Sequence, residues 1–357
     1  MTDTVLEIRD LVSMFNTPAG IVRAVDGVSL RVAKGQSLGI VGESGSGKTQ
    51  TFYGALGLTR GAPGVVAGSA RVGKLEILDG LDEHVTCRTM PDGTEVVTRS
   101  PQWQAIHERR LQQVLGRDVS IMFQDPKRSL VPYWTIARHL QEVLERAGNR
   151  ADEKNHRERA AALLVALGFS QPERVLASFP ERLSGGEAQR AMLALTMAIS
   201  PRLLIADEPT TGLDTINQAL ALESLAELNR SSGMSLILIS HDLSVVDAIA
   251  DDILVMYAGR VVALAPAAVF RDLPADQLHP YALELRRGRE RRAKNMSIIV
   301  GDASPVAPRA SSGCSFHLRC ALRPMLSAGL QQRCTGERPP LVTQGNGHSM
   351  ACWATAR

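Results

Sequence analysis

The sequence predicts an α/β fold with a parallel sheet in its core. Short, wholly apolar runs alternate with longer segments of helical periodicity, as in "RLLIAD", "TINQALALESLAELNRSSG" and "SLILIS". Apolar runs of this length are typical of strands that are buried on both faces of a parallel sheet. With 357 residues, the chain is long enough for one large core with an appendage, or for two domains.

Composition narrows the class of protein. Hydrophobic residues make up 44% of the chain and charged residues 22%, which is ordinary for a globular protein in water. The net charge of +3 is too small to indicate nucleic-acid binding. The opening "MTDTVLEIRD" lacks the apolar stretch of a secretory signal, and no run approaches the roughly 18 apolar residues of a membrane span. We therefore expect a protein of the cytosol, where cysteines stay reduced.

The elements can be predicted in chain order. "VLEIRDLVSMF", "GVSLRV" and "QSLGIVG" are typical of strands, and a helix should run from Lys48 to about Leu58. A polar helix is expected at "WQAIHERRLQQVL", a strand at "DVSIMF", and helices at "IARHLQEVLERAG" and "RERAAALLVALGF". "DILVMYAGRVVAL" predicts two strands around a turn. The composition changes past about Leu283, and we expect a domain boundary there.

A phosphate-binding loop is predicted by "GESGSGKT", which follows a predicted strand and opens a predicted helix. In such a loop, glycines let backbone N–H groups converge on phosphate oxygens, and the helix N-terminus adds positive potential. The lysine would neutralise the β- and γ-phosphates and the threonine would bind Mg²⁺. The candidate ATP-binding residues are Gly42, Glu43, Ser44, Gly45, Ser46, Gly47, Lys48 and Thr49.

Two carboxylates end the segment "LLIADE", after four apolar residues of a predicted strand. The strand would deliver Asp207 and Glu208 at its C-terminal end, where α/β sheets bind their ligands. We expect Asp207 to hold Mg²⁺, directly or through water, and Glu208 to polarise the attacking water. Taken alone, two carboxylates at this place would equally suit a polar strand end.

The order of further motifs resembles that of the ABC-type ATPases. "LSGGEAQR" (Leu183 to Arg190) is similar to the signature sequence of that family. The phosphate loop comes first, then Gln124 in "MFQDP", the signature, "ADEPTTGLD", and His241 in "LISHD". The resemblance extends from about residue 5 to residue 281.

The resemblance implies an ABC-type ATPase domain in residues 1–283. Its parts would be a RecA-like core, an antiparallel β subdomain and a helical subdomain at about residues 124–190. Residues 61–118 exceed the usual length at this place, which predicts an insertion that forms a surface β-extension without catalytic duty. Residues 284–357 would form a small C-terminal extension that contains four of the five cysteines.

The resemblance also implies roles for side chains outside the phosphate loop. Gln124 would bind Mg²⁺, sense the γ-phosphate and relay its state toward a membrane partner. His241 would contact the γ-phosphate and position the attacking water, so that Lys48, Gln124, Glu208 and His241 form the catalytic set. Phe15 is a candidate for stacking on adenine, and a core phenylalanine is the alternative interpretation.

The signature residues would act across a dimer. Ser184, Gly185 and Gly186 precede a predicted helix of about 13 residues, so small residues expose N–H groups at its positive end. By resemblance, this end faces the γ-phosphate bound to the opposite subunit, and Asp214 lies at the dimer interface. ATP would then hold two nucleotide domains together.

Several segments resemble the ATPases of the oligopeptide, dipeptide and nickel importers: "GIVGESGSGKT", "IMFQDPKRSL", "LLIADEPTTGLD", "VMYAGRVV", "HPY" and "GERPPL". This class implies a peripheral protein on the cytoplasmic face of the cell membrane, with ATP hydrolysis powering the import of peptides. The implied partners are a second, homologous ATPase in a heterodimer, two membrane permeases and an external solute-binding protein. Nickel chelates, opines and glycosides are alternative cargoes.

Four cysteines lie near the end of the chain, and their role is open. Some members of the importer class carry a four-iron–four-sulfur cluster here, and four thiolates satisfy such a cluster. Zinc sites usually contain ligand pairs two to four residues apart, a spacing that these cysteines lack. Reduced thiols without a metal are the third alternative. The candidate ligands are Cys314, Cys320, Cys334 and Cys352.

Two functions other than transport stay open at this point. A soluble ABC ATPase that acts in DNA repair or on ribosomes would generally carry two nucleotide domains or a long coiled-coil insertion, and the sequence shows neither pattern. The second alternative is a redox-regulated interaction protein, in which the tail carries the function and ATP is hydrolysed only incidentally.

Overall fold

The computed structural model shows a mixed α/β protein. It describes residues 3–18, 20–59, 61–90, 95–146, 153–211, 213, 215–293 and 312–354. Across those ranges, none of the helices combines the length and the apolar character that a bilayer crossing demands. Asp214, the predicted interface residue, lies outside the described residues.

The strands vary from two to fourteen residues in length. They are β1 (Thr4–Thr17), β2 (Gly20–Ala33), β3 (Ser37–Val41), β4 (Pro63–Val72), β5 (Leu75–Glu76), β6 (Val85–Thr89), β7 (Glu95–Arg99), β8 (Val119–Met122), β9 (Leu203–Asp207), β10 (Ser235–Ser240), β11 (Asp252–Tyr257), β12 (Arg260–Pro266), β13 (Val342–Thr343) and β14 (Ser349–Met350).

Most of the longer helices fall where helical periodicity predicts them, but the helices at residues 280–293 and 328–336 do not follow from the predicted patterns. The helices are α1 (Lys48–Ala55), α2 (Pro101–Leu111), α3 (Pro126–Ser129), α4 (Ile136–Arg146), α5 (Glu153–Ala166), α6 (Pro172–Leu176), α7 (Gly185–Met197), α8 (Thr215–Ser232), α9 (Leu243–Asp247), α10 (Ala267–Asp272), α11 (Pro280–Ala293) and α12 (Ala328–Gly336). The predicted helix from Lys48 is confirmed, and α7 has the 13 residues expected of the signature helix.

The chain divides into two compact units. The first unit comprises Met1–Asp3, Ala33–Ser37 and Gln112–Ile239, and the second unit comprises Thr4–Val32, Leu38–Leu111 and Ser240–Arg357.

The first unit contains parallel strands and a group of helices. Its strands lie in the order β10-β9-β8, and both neighbouring pairs are parallel. Every residue of β9 and β10 is buried, which confirms the strands predicted from continuous apolar runs. Helices α4, α5, α6 and α7 pack together, and α7 buries most of its apolar side chains.

The second unit carries an antiparallel sheet in the order β2-β1-β4-β5 and a further group in the order β13-β14-β12-β11-β3. In that group β11 is parallel to β3 and antiparallel to β12. A Cβ on Gly39 of β3 would lie 1.9 Å from a methyl carbon of Val246 in α9. Only glycine fits there, and the helix lies closely against the strand that leads into the phosphate loop.

The predicted insertion has two parts in the structure. β4 (Pro63–Val72) pairs with β1 inside the four-stranded sheet, whereas β6 and β7 form a separate two-stranded hairpin. At the other predicted boundary, α11 runs through residue 283 to Ala293. The domain limits, and the absence of catalytic duty in the insertion, stay predictions.

Candidate functional site

The phosphate loop, residues 42–49, joins β3 to α1 within the second unit. Gly47 is the N-cap of α1 with φ of 95°, and no side chain caps this helix. A Cβ on Gly47 would lie 2.4 Å from the carbonyl oxygen of Ala24, so glycine is required by conformation and by space. No side chain of the described residues caps the first turn of α1, so a ligand can accept hydrogen bonds from the N–H groups at this helix start.

Lys48 lies inside the loop and is only 6% exposed. Its ammonium nitrogen donates hydrogen bonds to the carbonyl oxygens of Gly42, at 2.7 Å, and Glu43, at 3.0 Å. The hydroxyl of Ser46 is buried and has no hydrogen-bond partner among the described residues. A buried cation beside an unsatisfied hydroxyl and an uncapped helix start fits a phosphate group, because phosphate oxygens accept from all three.

Hydrogen bonds to a backbone group and to a side chain outside the loop hold the loop in place. The N–H of Gly259 donates to the carbonyl of Ser46 at 2.9 Å. The N–H of Glu43 donates to the Tyr281 hydroxyl at 2.7 Å, and burial raises the pKa of that phenol. Tyr281 belongs to the "HPY" segment, but nothing in the sequence predicts that it supports the loop.

In the first unit, β9 places both predicted carboxylates at its C-terminal end. Asp207 is buried and Glu208 follows it with φ of 50°. The left-handed conformation is costly for glutamate and is found most often at functional sites. The Glu208 N–H donates to the carbonyl of Ile239 at 2.9 Å, and its carboxylate accepts from the Thr211 hydroxyl at 3.1 Å. The strand end thus fixes the backbone of the predicted catalytic base.

A cleft of about 500 Å³ in the first unit brings three predicted motifs together. Gln124, exposed just after β8, lines it together with Gly185 of the signature. Thr211, which contacts the Glu208 carboxylate, lines it as well. The unit therefore places the Gln124 loop, the signature and the segment after β9 around one space.

The signature helix α7 begins with a complete capping box. The Ser184 hydroxyl accepts from the N–H of Glu187 at 3.2 Å, and the Glu187 carboxylate accepts from the N–H of Ser184 at 2.9 Å. The hydrogen bond from the Ser184 backbone lowers the pKa of Glu187, and Arg174 lowers it further. Among the residues that the structure describes, none would lie within 4 Å of a Cβ added to Gly185, outside its own helix and chain neighbours.

The remaining predicted residues take separate positions. His241 is exposed between β10 and Asp242, the N-cap of α9. Thr49 is half-buried in the first turn of α1, and Phe15 is half-buried in β1 opposite Pro63. The roles that the family resemblance assigns to these side chains stay predictions.

The tail cysteines are brought near one another but remain thiols. None of the chain's five cysteines forms a disulfide. Burial, together with the nearby Cys352, Cys334 and Cys320, raises the pKa of Cys314 to about 11. Within the described residues, no group of three or more His, Cys, Asp or Glu side chains is arranged to hold a metal ion. An iron–sulfur cluster on these cysteines therefore stays a prediction.

Comparison with solved structures identifies the fold. A dimeric ATP-binding cassette in a post-hydrolysis state, bound to ADP and Pi, superposes with a TM-score of 0.58 at 22% identity, over 73% of this chain and 98% of that one. The cbiO1 protein of Clostridium perfringens, part of an ABC transporter complex, gives a TM-score of 0.56 at 21% identity, over 82% of this chain and all of that one. The predicted ABC-type ATPase fold is confirmed.

Sequence comparison identifies the relatives. A probable peptide ABC transporter ATP-binding protein of Sinorhizobium fredii is 35% identical over 98% of this chain and 95% of its own. The oligopeptide transport ATP-binding protein AppD of Bacillus subtilis is 35% identical over 98% of this chain and 96% of its own. The corresponding OppD protein of Escherichia coli is 36% identical over 89% of this chain and 86% of its own.

The family match covers the phosphate loop, Gln124, the signature and the carboxylates after β9. Residues 25–211 match the family described as "ABC transporter". The resemblance predicted from the motifs is thus confirmed, and the chain belongs to the ABC transporter family of ATPases.

Proposed function

We propose that this chain is the ATP-hydrolysing subunit of an importer for peptides or similar small solutes. The phosphate loop carries the proposal, because it presents a buried lysine, an unpartnered buried hydroxyl and an uncapped helix start in one place. The names of the relatives, which are peptide and oligopeptide transport ATP-binding proteins, support the choice of cargo.

In this proposal the second unit binds the phosphates of ATP. Lys48 would exchange its contacts with the two loop carbonyls for the β- and γ-phosphate oxygens, and Thr49 would bind Mg²⁺ through its hydroxyl. His241 would contact the γ-phosphate, and Phe15 would stack on adenine. The uncapped N–H groups of α1 would complete the cradle.

The first unit would supply the hydrolytic groups and the dimer contact. Asp207 and Gln124 would complete the oxygen ligands of Mg²⁺, and Glu208 would accept a proton from the attacking water. Gly185 and its neighbours would face the γ-phosphate bound by a partner subunit. The open space around Gly185 supports this role, because no atom of the described residues would contact a Cβ added there within 4 Å.

An ABC ATPase of this kind works as a dimer with membrane permeases. We propose that its partner is a second, homologous ATPase, and that the assembly receives solute from an external binding protein. The chain would then lie on the cytoplasmic face of the cell membrane as a peripheral subunit.

In this proposal the tail cysteines are thiols. A four-iron–four-sulfur cluster stays a prediction, and iron and sulfide analysis of protein purified without oxygen tests it. A brown protein with four iron atoms per chain would support the cluster. Colourless protein with one zinc per chain would support a zinc site, and colourless protein without metal would support reduced thiols.

Peptide uptake by cells tests the proposed function. A strain that lacks the gene is complemented with wild type, Glu208→Gln or Glu223→Gln, and uptake of labelled di- and oligopeptides is measured. Loss of the general base should lower ATP-driven uptake by a factor of about 100 or more, with ATP binding retained. Glu223 is an exposed glutamate on α8, so its variant controls for the loss of a carboxylate. Normal uptake with Glu208→Gln would refute the proposal, and selective loss of nickel-chelate uptake would change the cargo.

A further inference from the structure

The C-terminal tail contacts the phosphate loop directly, within the second unit. The Arg319 guanidinium donates two hydrogen bonds to the Glu43 carboxylate, from Nη1 to Oε2 at 2.8 Å and from Nη2 to Oε1 at 2.9 Å. The two side chains are 17% and 20% exposed, so water screens the pair only in part. A two-point contact of this kind fixes the orientation of the carboxylate as well as its charge.

Glu43 occupies a central position in the loop. Its N–H donates to the Tyr281 hydroxyl, and its carbonyl accepts one of the two hydrogen bonds from the Lys48 ammonium. Arg319 therefore holds the residue on which the phosphate-binding lysine rests. The ion pair also raises the pKa of Arg319, so the guanidinium stays charged at any physiological pH.

A buried ring anchors the segment that carries Arg319. Phe316 is only 1% exposed and packs edge-on against Tyr257, with ring centroids 5.1 Å apart, and against Tyr281 at 5.4 Å. The N–H of Arg319 donates to the carbonyl of Phe316 at 3.0 Å. The turn between these residues thus ties the arginine to the same tyrosine that supports Glu43.

A second route leads from the tail to the other half of the loop. The Arg260 guanidinium donates to the carbonyl of Gly313 at 3.2 Å and forms a fork with Asp26, at 2.9 and 2.7 Å. The N–H of Asp26 donates to the carbonyl of Gly259, whose own N–H donates to Ser46. The tail therefore supports the loop at Glu43 and, indirectly, at Ser46.

The charge of Glu43 gives the pair with Arg319 a further consequence. A triphosphate bound in the loop brings several negative charges near this carboxylate, and like charges repel. Arg319 neutralises the charge of the carboxylate and fixes its orientation through the two-point contact. Without the arginine, the loop would keep a negative charge next to its ligand site and would lose the contact that orients Glu43.

We propose that Arg319 is a positioning residue for nucleotide binding, through which the tail orients and neutralises Glu43 of the phosphate loop. The inference rests on the proposed function, because its readout is the affinity for ATP. It assigns a part of the ATP site to a residue that follows Glu43 by 276 positions.

Equilibrium binding of a fluorescent ATP analogue with Mg²⁺ to the purified full-length chain tests the inference. Arg319→Ala should raise Kd about tenfold or more, as expected for the loss of a charged hydrogen-bonded pair. Arg319→Lys should raise it about threefold, because lysine keeps the charge but cannot form the fork. The double variant Arg319→Ala/Glu43→Gln should recover much of the affinity, because it removes the uncompensated charge. General loss of packing would not produce that recovery.

Arg333→Ala is the matched control. Arg333 lies in the same tail, pairs with Glu337 at 3.0 Å and covers the Trp353 ring at 3.6 Å. Its variant removes the same charge from the tail and breaks an ion pair that is more exposed, with side chains 44% and 59% exposed, and it should bind the analogue like wild type. An equal loss of affinity in Arg333→Ala and Arg319→Ala would overturn the inference in favour of general destabilisation of the tail.

The outcomes separate the inference from the proposed function. If wild type binds the analogue and Lys48→Ala does not, the proposed function stands. Wild-type affinity in folded Arg319→Ala would then overturn the inference alone. If Arg319→Ala does not fold, Arg319→Lys decides, and an unchanged Kd there overturns the inference. If wild type does not bind the analogue at all, the proposed function fails as well.

Discussion

Two glycine-containing helix starts in this protein look alike in sequence but are built differently. Helix α1 begins at Gly47, which has a left-handed backbone and no side-chain cap. Helix α7 begins at Ser184, which forms a full capping box with Glu187. The first helix start has no side-chain cap, so a ligand can accept hydrogen bonds from its N–H groups. The second helix satisfies part of its own end, so its structure does not depend on a ligand.

The glycines of the two motifs also serve different purposes. A Cβ on Gly47 would collide with a carbonyl oxygen at 2.4 Å, whereas a Cβ on Gly185 would meet no atom of the described part of the chain within 4 Å. The fold itself requires glycine in the phosphate loop. At Gly185 the described residues leave room for a side chain, so we expect any requirement for a small residue there to come from a partner that approaches the helix.

Alanine at Gly47 should produce the largest difference between the two sites. Gly47→Ala forces a strained backbone and a collision, and we expect the Kd for ATP to rise on the order of 100-fold or more. Gly185→Ala should leave the melting temperature of the chain unchanged and impair ATP-driven dimerisation. Calorimetry, ATP binding and size-exclusion chromatography measure the three quantities. A folded Gly47→Ala protein that binds ATP with normal affinity would show that Gly47 and Gly185 do not differ in their steric requirement.

Ligand-induced stabilisation should depend on the phosphate loop alone. At a hundred times Kd, ATP with Mg²⁺ should add about 2.7 kcal/mol to the free energy of unfolding. Thermal melting with and without nucleotide measures the effect. Lys48→Ala should abolish it, because the ammonium is the buried cation of the loop. Equal stabilisation of wild type and Lys48→Ala would show that the nucleotide binds outside the phosphate loop.

The two serines of these motifs should differ in their effect on stability. Ser184→Ala removes a cap and should cost about 1 kcal/mol of unfolding free energy. Ser46→Ala should cost little, because the buried Ser46 hydroxyl has no partner among the described residues. Urea denaturation without nucleotide compares them. A larger loss in Ser46→Ala than in Ser184→Ala would contradict the assignment of the capped and uncapped ends.

The smallest expected effect is a pH dependence at the capping box. The pKa of Glu187 is lowered from its ordinary 4.5 by the hydrogen bond from the Ser184 backbone. A carboxyl group whose pKa is lower in the folded state stabilises the fold above its unfolded pKa and loses that contribution as the pH falls. Between about pH 5 and pH 3, wild type should therefore lose more stability than Glu187→Gln. Parallel curves for the two proteins would show that Glu187 contributes no such linkage.

Local patterns predicted the elements of this protein well, because periodicity and motif spacing are properties of short segments. Strands β9 and β10 and helix α7 lie where apolar runs and the signature predict them. The support of the phosphate loop could not be predicted in the same way. Arg319 and Glu43 are 276 positions apart, and neither has a pattern that points to the other.

Short elements and three-dimensional ligand sets were also beyond prediction. Strands β13 and β14 have two residues each, too few to show a period. The cysteine spacing left three alternatives for the tail, and a decision between them depends on the relative positions of side chains. The place of β4 inside a sheet depends on pairing with β1, which the sequence of residues 61–118 does not reveal by itself.

The tail has a further consequence for the solubility of the protein. β14 covers the open edge of β12, with Ala263 opposite Met350, and the N–H of Ala351 donates to the carbonyl of Val262. β13, outside it, offers only two residues, and such a short edge is a poor template for another chain. A chain that ended before residue 312 would expose the apolar edge of β12 and would be prone to edge-to-edge aggregation.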